Sequence, residues 1–514
     1  MFPFAIINRM PKKQMLDTVK LDEAPEQRLR LTHLQEMLAI FLAFIILFAF
    51  TTKHQGGSWN DQSRFATMEA LVENPPNMPA FAIDYTTYGW WTGDKIYDGK
   101  HFYSTKPPVL SVIGAGIYYC LFHWFGMDYS DSRYEGLIYF LITFILMAIP
   151  TSVMFALFYD LMRRMGLSKP YSLFLTIALG LGSFYLPYTT VFNNHTFAGV
   201  SMFAAFYFLF RAIEHRGTRG WNLFFSGLFS GLGVTVDILG AIPLAVAFLL
   251  YTASMGLNKG WYRPVSVRLL LWGPLIFLPF ITRFITNRKV RWLGFELWGS
   301  FILGMLIFVT IHLYLNIQIT GSLKPIYSNQ ALYTKLAVEG YYGEVIKSGA
   351  GLFSEVRLRY IINSILGIRG IFFYTPLLLF CLYFTVRVAL DSRSRLARLA
   401  LYILVFLIPS WIYLLFETKN YGGTSYGSRY FIAPQPMLFF FCCYMYRYAA
   451  PAKIKGWFYE AFRFSVLMSV IGMSFPWGVA GDLPASNFSL FNNLQYCSQN
   501  FLSVFAQLIA GNYQ

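Results

Sequence analysis

"LQEMLAIFLAFIILFAFTT", Leu34 to Thr52, decides the architecture. Beyond Glu36 the run carries no charged side chain, and about 20 such residues in a helix cross the hydrocarbon core of a bilayer. A cleaved leader does not fit. The 33 residues before the run include Lys12, Lys13, Lys20, Arg28 and Arg30, and no small-residue cleavage site follows it. Residues 1–33 are therefore expected to be a cytoplasmic segment, and Leu34–Thr52 an uncleaved first span.

The rest of the chain repeats this chemistry. Of 514 residues, 56% are hydrophobic and only 13% charged, against about 25% charged in a soluble domain. Aromatic residues reach 19%, with Phe 52 and Tyr 35, which suits lipid-facing helices with interfacial belts. An all-α polytopic membrane protein is expected. The net charge of +16 does not point to nucleic acid, because no basic stripe on a polar helix exists to track phosphates. Most Lys and Arg fall in short loops between apolar runs, as the positive-inside rule requires. The cysteines Cys120, Cys381, Cys442, Cys443 and Cys497 lack metal-ligand spacing with histidines, so small buried hydrophobes are expected and no disulfide framework.

Further spans are expected to start near Gly136, Tyr171, His195, Trp221, Ile238, Leu293, Ile371, Arg398, Tyr430 and Phe462. The loops "RRMGLSK" (163–169), "RAIEHRGTRG" (211–220), "NKGWYRPVSVR" (258–268), "SRSRLAR" (392–398) and "AKIKGW" (452–457) are placed inside. A span at Pro107–Phe125 would put "RRMGLSK" outside. That stretch is therefore read as an amphipathic or re-entrant helix on the outer face. Leu269–Ile285 has basic flanks and Pro274 and Pro279 within it, and is read as a re-entrant pair on the inner side. About 11 to 13 transmembrane helices result. They form one domain, 34–481, with outer loops 54–135, 321–370 and 417–429, and an outer-face tail, 482–514.

Function concentrates where polar loops meet helix ends. In "WNDQSRFATMEA" (59–70), Asp61 is placed to act as a general base at the bilayer surface. It is equally placed to cap a helix and pair with Arg64 three residues on. "GDKIYDGKHFYSTKPP" (93–108) offers Lys95 and Lys106. Pro107 and Pro108 fix the backbone beside Lys106, which suits it to a lipid phosphate or to snorkelling at a helix start. "PYTTVFNNHTFAG" (187–199) brings His195 to the start of a span, as a hydrogen-bonded structural residue or as a member of a site. Asp237 sits in "GLGVTVDILGAIP" (231–243), where a carboxylate needs a cap, a cation or a polar cavity to justify it. "ETKNYGGTSYGSRYFIAPQP" (417–436) combines tight-turn glycines with Tyr426 and with Arg429, a side chain suited to grip a phosphate bidentately or to sit among lipid headgroups at the interface.

These motifs, with "NIQITGSLKPIY" (316–327) and "GIRGIFFYTPLLL" (367–379), resemble the GT-C superfamily of membrane glycosyltransferases. The narrower resemblance is to bacterial relatives of protein O-mannosyltransferases and the lipid A aminoarabinose transferase. It implies amphipathic juxtamembrane helices in the first outer loop. It further implies inverting transfer of a sugar from a polyprenyl-phosphate sugar to a lipid, glycan or protein acceptor, at the outer face of a bacterial inner membrane. On that model Asp61 is the catalytic base. Lys106 and Arg429 hold the leaving phosphate, with Lys95, Arg64 and Tyr426 in support. His195 and Asp237 complete the acceptor pocket or hold a divalent metal. Two departures stand out. Relatives with "DE" after the first span have here "DQ" (Asp61, Gln62), and "GSP" reads "GSLKP", which adds Lys324. Two other functions use the same features: a transporter or flippase of lipid-linked sugars, and a scaffold of an envelope-glycan complex.

Overall fold

The computed structural model describes residues 26–215, 217–255, 288–326, 357–367, 369–417 and 425–477. The expected re-entrant pair Leu269–Ile285, most of loop 321–370 and the tail 482–514 lie outside them. Helix α1 (Glu26–Thr51) is followed by α2 (Trp59–Val72), a short hairpin of β1 (Lys95–Tyr97) and β2 (Phe102–Ser104), and α3 (Pro108–Phe125). Then come α4 (Ser132–Thr143), a π turn (Phe144–Ala148), α5 (Ile149–Arg164), α6 (Lys169–Leu181), α7 (Tyr185–Thr189), α8 (Asn194–Glu214), α9 (Arg219–Val236) and α10 (Ile238–Ser254). The described remainder holds α11 (Arg288–Thr320), α12 (Arg357–Ile365), a turn of helix at Ile371–Tyr374, α13 (Leu377–Leu390), α14 (Ala397–Glu417), a broken stretch from Arg429 to Arg447, and α15 (Ala452–Ser474).

Among the described residues, six helical stretches are long and apolar enough to cross a membrane: 32–51, 108–125, 132–164, 194–214, 297–320 and 397–417. The chain is a multi-pass helical membrane protein. Helix α1 shows how such a helix divides its faces. Ile40, Phe44 and Phe48 are buried, with the Phe44 ring 4.3 Å from that of Phe155 on α5. Leu34, Leu38, Leu42, Ile46 and Phe50 recur every four residues and stay exposed, which is the stripe a lipid would cover.

The expected spans near Tyr171, Ile371 and Tyr430 are corrected. None is one long helix. The first stops at Leu181 and resumes as the five-residue α7. The second breaks at Thr375-Pro376. The third is a sequence of short helical and 3-10 turns over 429–431, 435–440, 441–443 and 444–447. Pro187, Pro376, Pro434 and Pro436 each lack the N–H that continues a helix. Phe431 to Met445 are buried throughout, and irregular backbone at membrane depth is tolerated where protein rather than lipid surrounds it. Pro108–Phe125, expected on the outer surface, has the length and apolarity of a crossing helix. It packs on α2, where a Cβ at Gly114 would lie 2.4 Å from Met68 Cε.

Helices α9 and α11 pack with their backbones in close approach. A Cβ at Gly227 would fall 1.8 Å from the Phe301 carbonyl oxygen, and one at Gly304 would fall 2.1 Å from that of Phe224. Small residues let the two backbones meet. At one end of the bundle a polar network ties α1, α5, α6 and α8 together. His33 and Arg164 meet Asp160 at 2.8 and 2.6 Å, Tyr207 donates to the same carboxylate, and Tyr159 and Lys169 of α6 both engage Glu36.

The hairpin was not anticipated. It pairs Lys95 with Ser104, Ile96 with Tyr103 and Tyr97 with Phe102. Asp98 accepts from the N–H groups of Lys100 and His101, and Gly99 takes φ +105°, so the "YDGKHF" stretch makes a tight reversal.

Candidate functional site

Ser58, not Asp61, is the N-cap of α2. Its hydroxyl accepts from Asn60 N–H, and Asp61 completes the capping box from the third helical position. The Asp61 carboxylate is fully buried. Its Oδ1 accepts from Ser58 and Gln62 N–H at 2.9 Å each, and its Oδ2 accepts from Gly57 N–H at 3.2 Å and from the Tyr139 hydroxyl at 2.8 Å. Burial raises its pKa to about 6, against the pull of those four donors. The expected Asp61–Arg64 pair does not form. Arg64 donates instead to the backbone and side-chain oxygens of Asn60, at 2.8 and 2.5 Å.

Arg64 is 1% exposed, and its Nε has no acceptor. Burial lowers its pKa to about 10, while Asp94, Asp61 and Asp237 raise it and Arg429 lowers it. Those influences place the residues of three separate loops in one electrostatic neighbourhood. Lys106 belongs to it too. Its Nζ lies 2.6 Å from Asp94 Oδ2, and burial lowers its pKa against the pull of Asp94. The peptide before it is held by the Ser104 hydroxyl, which accepts from Lys106 N–H. Lys106 was expected to point at a phosphate; here a carboxylate already occupies it.

His195 opens α8, where Asn193 is the cap. Its Nδ1 lies 2.6 Å from Asp237 Oδ2, and both side chains are buried. Asp237 is the single residue between α9 and α10, and its Oδ1 accepts from Gly240 N–H at 3.3 Å. One carboxylate therefore caps a helix and orients a histidine. Among the described residues no three His, Cys, Asp or Glu side chains converge as a metal site, so these two form a pair rather than part of a visible ligand set.

Two expected ligands hold backbone carbonyls. Lys95 donates to the Gly89 carbonyl at 2.6 Å and sits over the Phe102 ring, bracing the loop between α2 and the hairpin. Tyr426 donates to the Met468 carbonyl at 2.7 Å, with Gly472 against its ring, and so braces α15. Gly427 beside it takes φ +65° and turns the chain toward Arg429.

Arg429 is the most informative member. It is 9% exposed, yet its Nε and Nη1 have no hydrogen-bond acceptor. Its guanidinium lies 4.9 Å from the centre of the Trp477 ring. The sequence reading missed Trp477 and Tyr139. Trp477 follows Phe475-Pro476 at the end of α15, and the only signal was an aromatic just past a proline at a helix end. Tyr139 had no signal; it is one aromatic among many within an apolar helix.

On α2, Glu69 accepts from the N–H and the hydroxyl of Thr87. Burial raises its pKa to about 7. It lines a small cavity with Glu73, Met78 and Thr86.

The neighbourhood thus contains a carboxylate poised near neutral pH, an ion pair, an oriented histidine, and two buried arginines with N–H groups to offer. That combination suits an anionic ligand next to a proton acceptor. No family model, curated protein or solved structure matches the chain.

Proposed function

We propose that the chain is a glycosyltransferase of the GT-C kind, moving a sugar from a polyprenyl-phosphate sugar to an acceptor hydroxyl at the outer face of a bacterial inner membrane. The acceptor is an envelope lipid, a glycan or a protein. One observation carries the proposal. Arg429 is nine-tenths buried with two N–H groups lacking acceptors, in the same neighbourhood as Asp61. A buried arginine without acceptors is costly unless an anion arrives to take those hydrogen bonds.

The chemistry follows from these positions. The acceptor oxygen attacks the anomeric carbon as the bond to the lipid phosphate breaks. Negative charge grows on the departing phosphate, and Arg429 and Arg64 face it with hydrogen-bond donors. The proton lost by the acceptor goes to Asp61, whose pKa of about 6 leaves it mostly ionised at pH 7. For this the acceptor hydroxyl must displace one of the four donors now on the carboxylate. The Gly57 N–H, at 3.2 Å, is the longest of them. Lys106 remains paired with Asp94 until a phosphate competes for it.

A different observation favours the transporter or scaffold readings. A fully buried carboxylate that accepts four hydrogen bonds has what a capping box needs without being a base. Asp61→Asn separates the cases. Purified protein in nanodiscs is given radiolabelled polyprenyl-phosphate sugars and membrane-extract acceptors. We expect the variant to lose transfer by about 10²- to 10⁴-fold while keeping donor binding and its melting temperature within a few degrees. Transfer retained in the variant, or absent in the wild type despite donor binding, overturns the proposal.

A further inference from the structure

We infer that Trp477 is a ligand of the lipid phosphate, acting with Arg429 as one stacked unit whose N–H groups grip the leaving phosphate. The inference rests on the lipid-phosphate reading above and extends it to a residue outside every motif singled out in the sequence.

Trp477 is 2% exposed, and its Nε1–H has no acceptor. A buried indole N–H finds a partner almost always. Arg429, stacked at 4.9 Å, leaves Nε and Nη1 equally without acceptors. Three N–H donors on two touching side chains are therefore buried with nothing to donate to. Donors alone are in excess, so a neutral group needing a donor in return does not balance them, whereas a phosphate brings only acceptors.

The surroundings place this unit at the reacting end of the site. A Cβ at Gly57 would come 3.1 Å from Trp477 Cδ1, the carbon bonded to Nε1. Gly57 is the residue whose N–H donates to Asp61 Oδ2. The pyrrole edge of the indole thus faces the loop that holds the proposed base, and the ring face carries Arg429. Tyr188 sets the ring from another side. Its ring meets Trp477 edge-on at 5.8 Å, and its hydroxyl donates to the Tyr426 carbonyl at 2.8 Å. The chain at Trp477 is anchored one residue earlier, where the Pro476 carbonyl accepts from Tyr426 N–H at 2.9 Å. The loop bearing Arg429 and the segment bearing Trp477 are hydrogen-bonded to each other, which ties the two halves of the unit together.

The test is binding, measured on full-length protein in nanodiscs by microscale thermophoresis. Farnesyl phosphate, farnesol and inorganic phosphate are the probes. Trp477→Phe keeps a ring for Arg429 to stack on and removes the N–H together with one ring of the indole; farnesol, which has no phosphate, reports the effect of the lost ring on lipid binding. We expect farnesyl phosphate to bind the variant about tenfold more weakly than the wild type, the scale of one hydrogen bond to a charged group. Farnesol should bind both equally. Equal affinity of wild type and variant for farnesyl phosphate overturns the role of Trp477 and leaves the lipid-phosphate reading standing. Failure of the wild type to bind farnesyl phosphate overturns both. Inorganic phosphate bound as tightly as farnesyl phosphate, and lost in the variant, upholds Trp477 as a phosphate ligand but refutes the lipid carrier. A measurement on wild type alone covers a variant that does not fold. With the 12 tryptophans labelled at the indole nitrogen, one resonance should move downfield with farnesyl phosphate and stay with farnesol. No such movement overturns the inference.

Discussion

Removing the Tyr139 hydroxyl tests the base most sharply. Tyr139→Phe deletes one of four donors to Asp61 and keeps the ring that stacks on Phe65 at 4.8 Å. A hydrogen bond to a charged group is worth about 1.5–3 kcal/mol, and one pKa unit corresponds to about 1.4 kcal/mol. The carboxylate loses a donor that favoured its charged form, so its pKa rises by roughly one to two units, from about 6 to roughly 7–8. At pH 7 the ionised fraction falls from about nine-tenths to between a half and a tenth. The assay is kcat/KM for sugar transfer from pH 5 to 9 in nanodiscs. The wild type should lose activity below about pH 6, and the variant should lose it at least one pH unit higher with a similar plateau. A second readout needs no activity. The folded pKa of Asp61 lies above its unfolded value, so its contribution to stability is present at low pH and is lost as pH rises through about 6. In the variant that loss moves to higher pH. An acid limb at the same pH in both proteins, or a wild-type profile flat through pH 6, refutes Asp61 as the titrating base.

Two further predictions concern the scaffold. Gly227→Ala places a methyl 1.8 Å from the Phe301 carbonyl oxygen, so α9 and α11 must separate. A loss of about 2–4 kcal/mol is expected, read as a drop in melting temperature, while Gly116→Ala, with nothing within 4 Å, should leave stability unchanged or slightly raised. Glu69→Gln keeps an acceptor for Thr87 and removes a group whose pKa is raised to about 7. The wild type should lose stability as pH rises from 5 to 8 and the variant should lose less, with a difference of about 2–3 kcal/mol at pH 8; parallel melting curves across that range would refute it.

The membrane character was legible from composition and from single runs such as Leu34–Thr52, because lipid demands long uninterrupted apolar helices. The stretches starting at Tyr171, Ile371 and Tyr430 misled for the same reason. Hydropathy does not separate a helix facing lipid from a broken segment enclosed by other helices, and the prolines in those stretches were the better guide. In the site, motif reading found the loops but not the pairings. Asp61, Arg64, Lys106, His195, Asp237 and Arg429 fall in one electrostatic neighbourhood. Lys95 and Tyr426 instead hold backbone carbonyls. Which cation already has a carboxylate, and which lacks an acceptor, depends on contacts between residues distant in the chain. Asp94 with Lys106 and Arg429 with Trp477 are such contacts, and a local motif does not encode them.

The π turn at Phe144–Ala148 has a consequence for the whole rod from Ser132 to Arg164. It winds more slowly than the α-helix around it and in effect lodges one surplus residue. Tyr139, which reaches Asp61, lies above it, and Asp160, which gathers His33, Arg164 and Tyr207, lies below. The turn therefore sets the angular phase between the two ends. Removing one residue from it would restore a plain α-helix and swing one end about 100° against the other, so that the rod could seat Tyr139 or Asp160 but not both. The bulge acts as a keyway, indexing the polar cluster at one end of the rod to the polar cluster at the other.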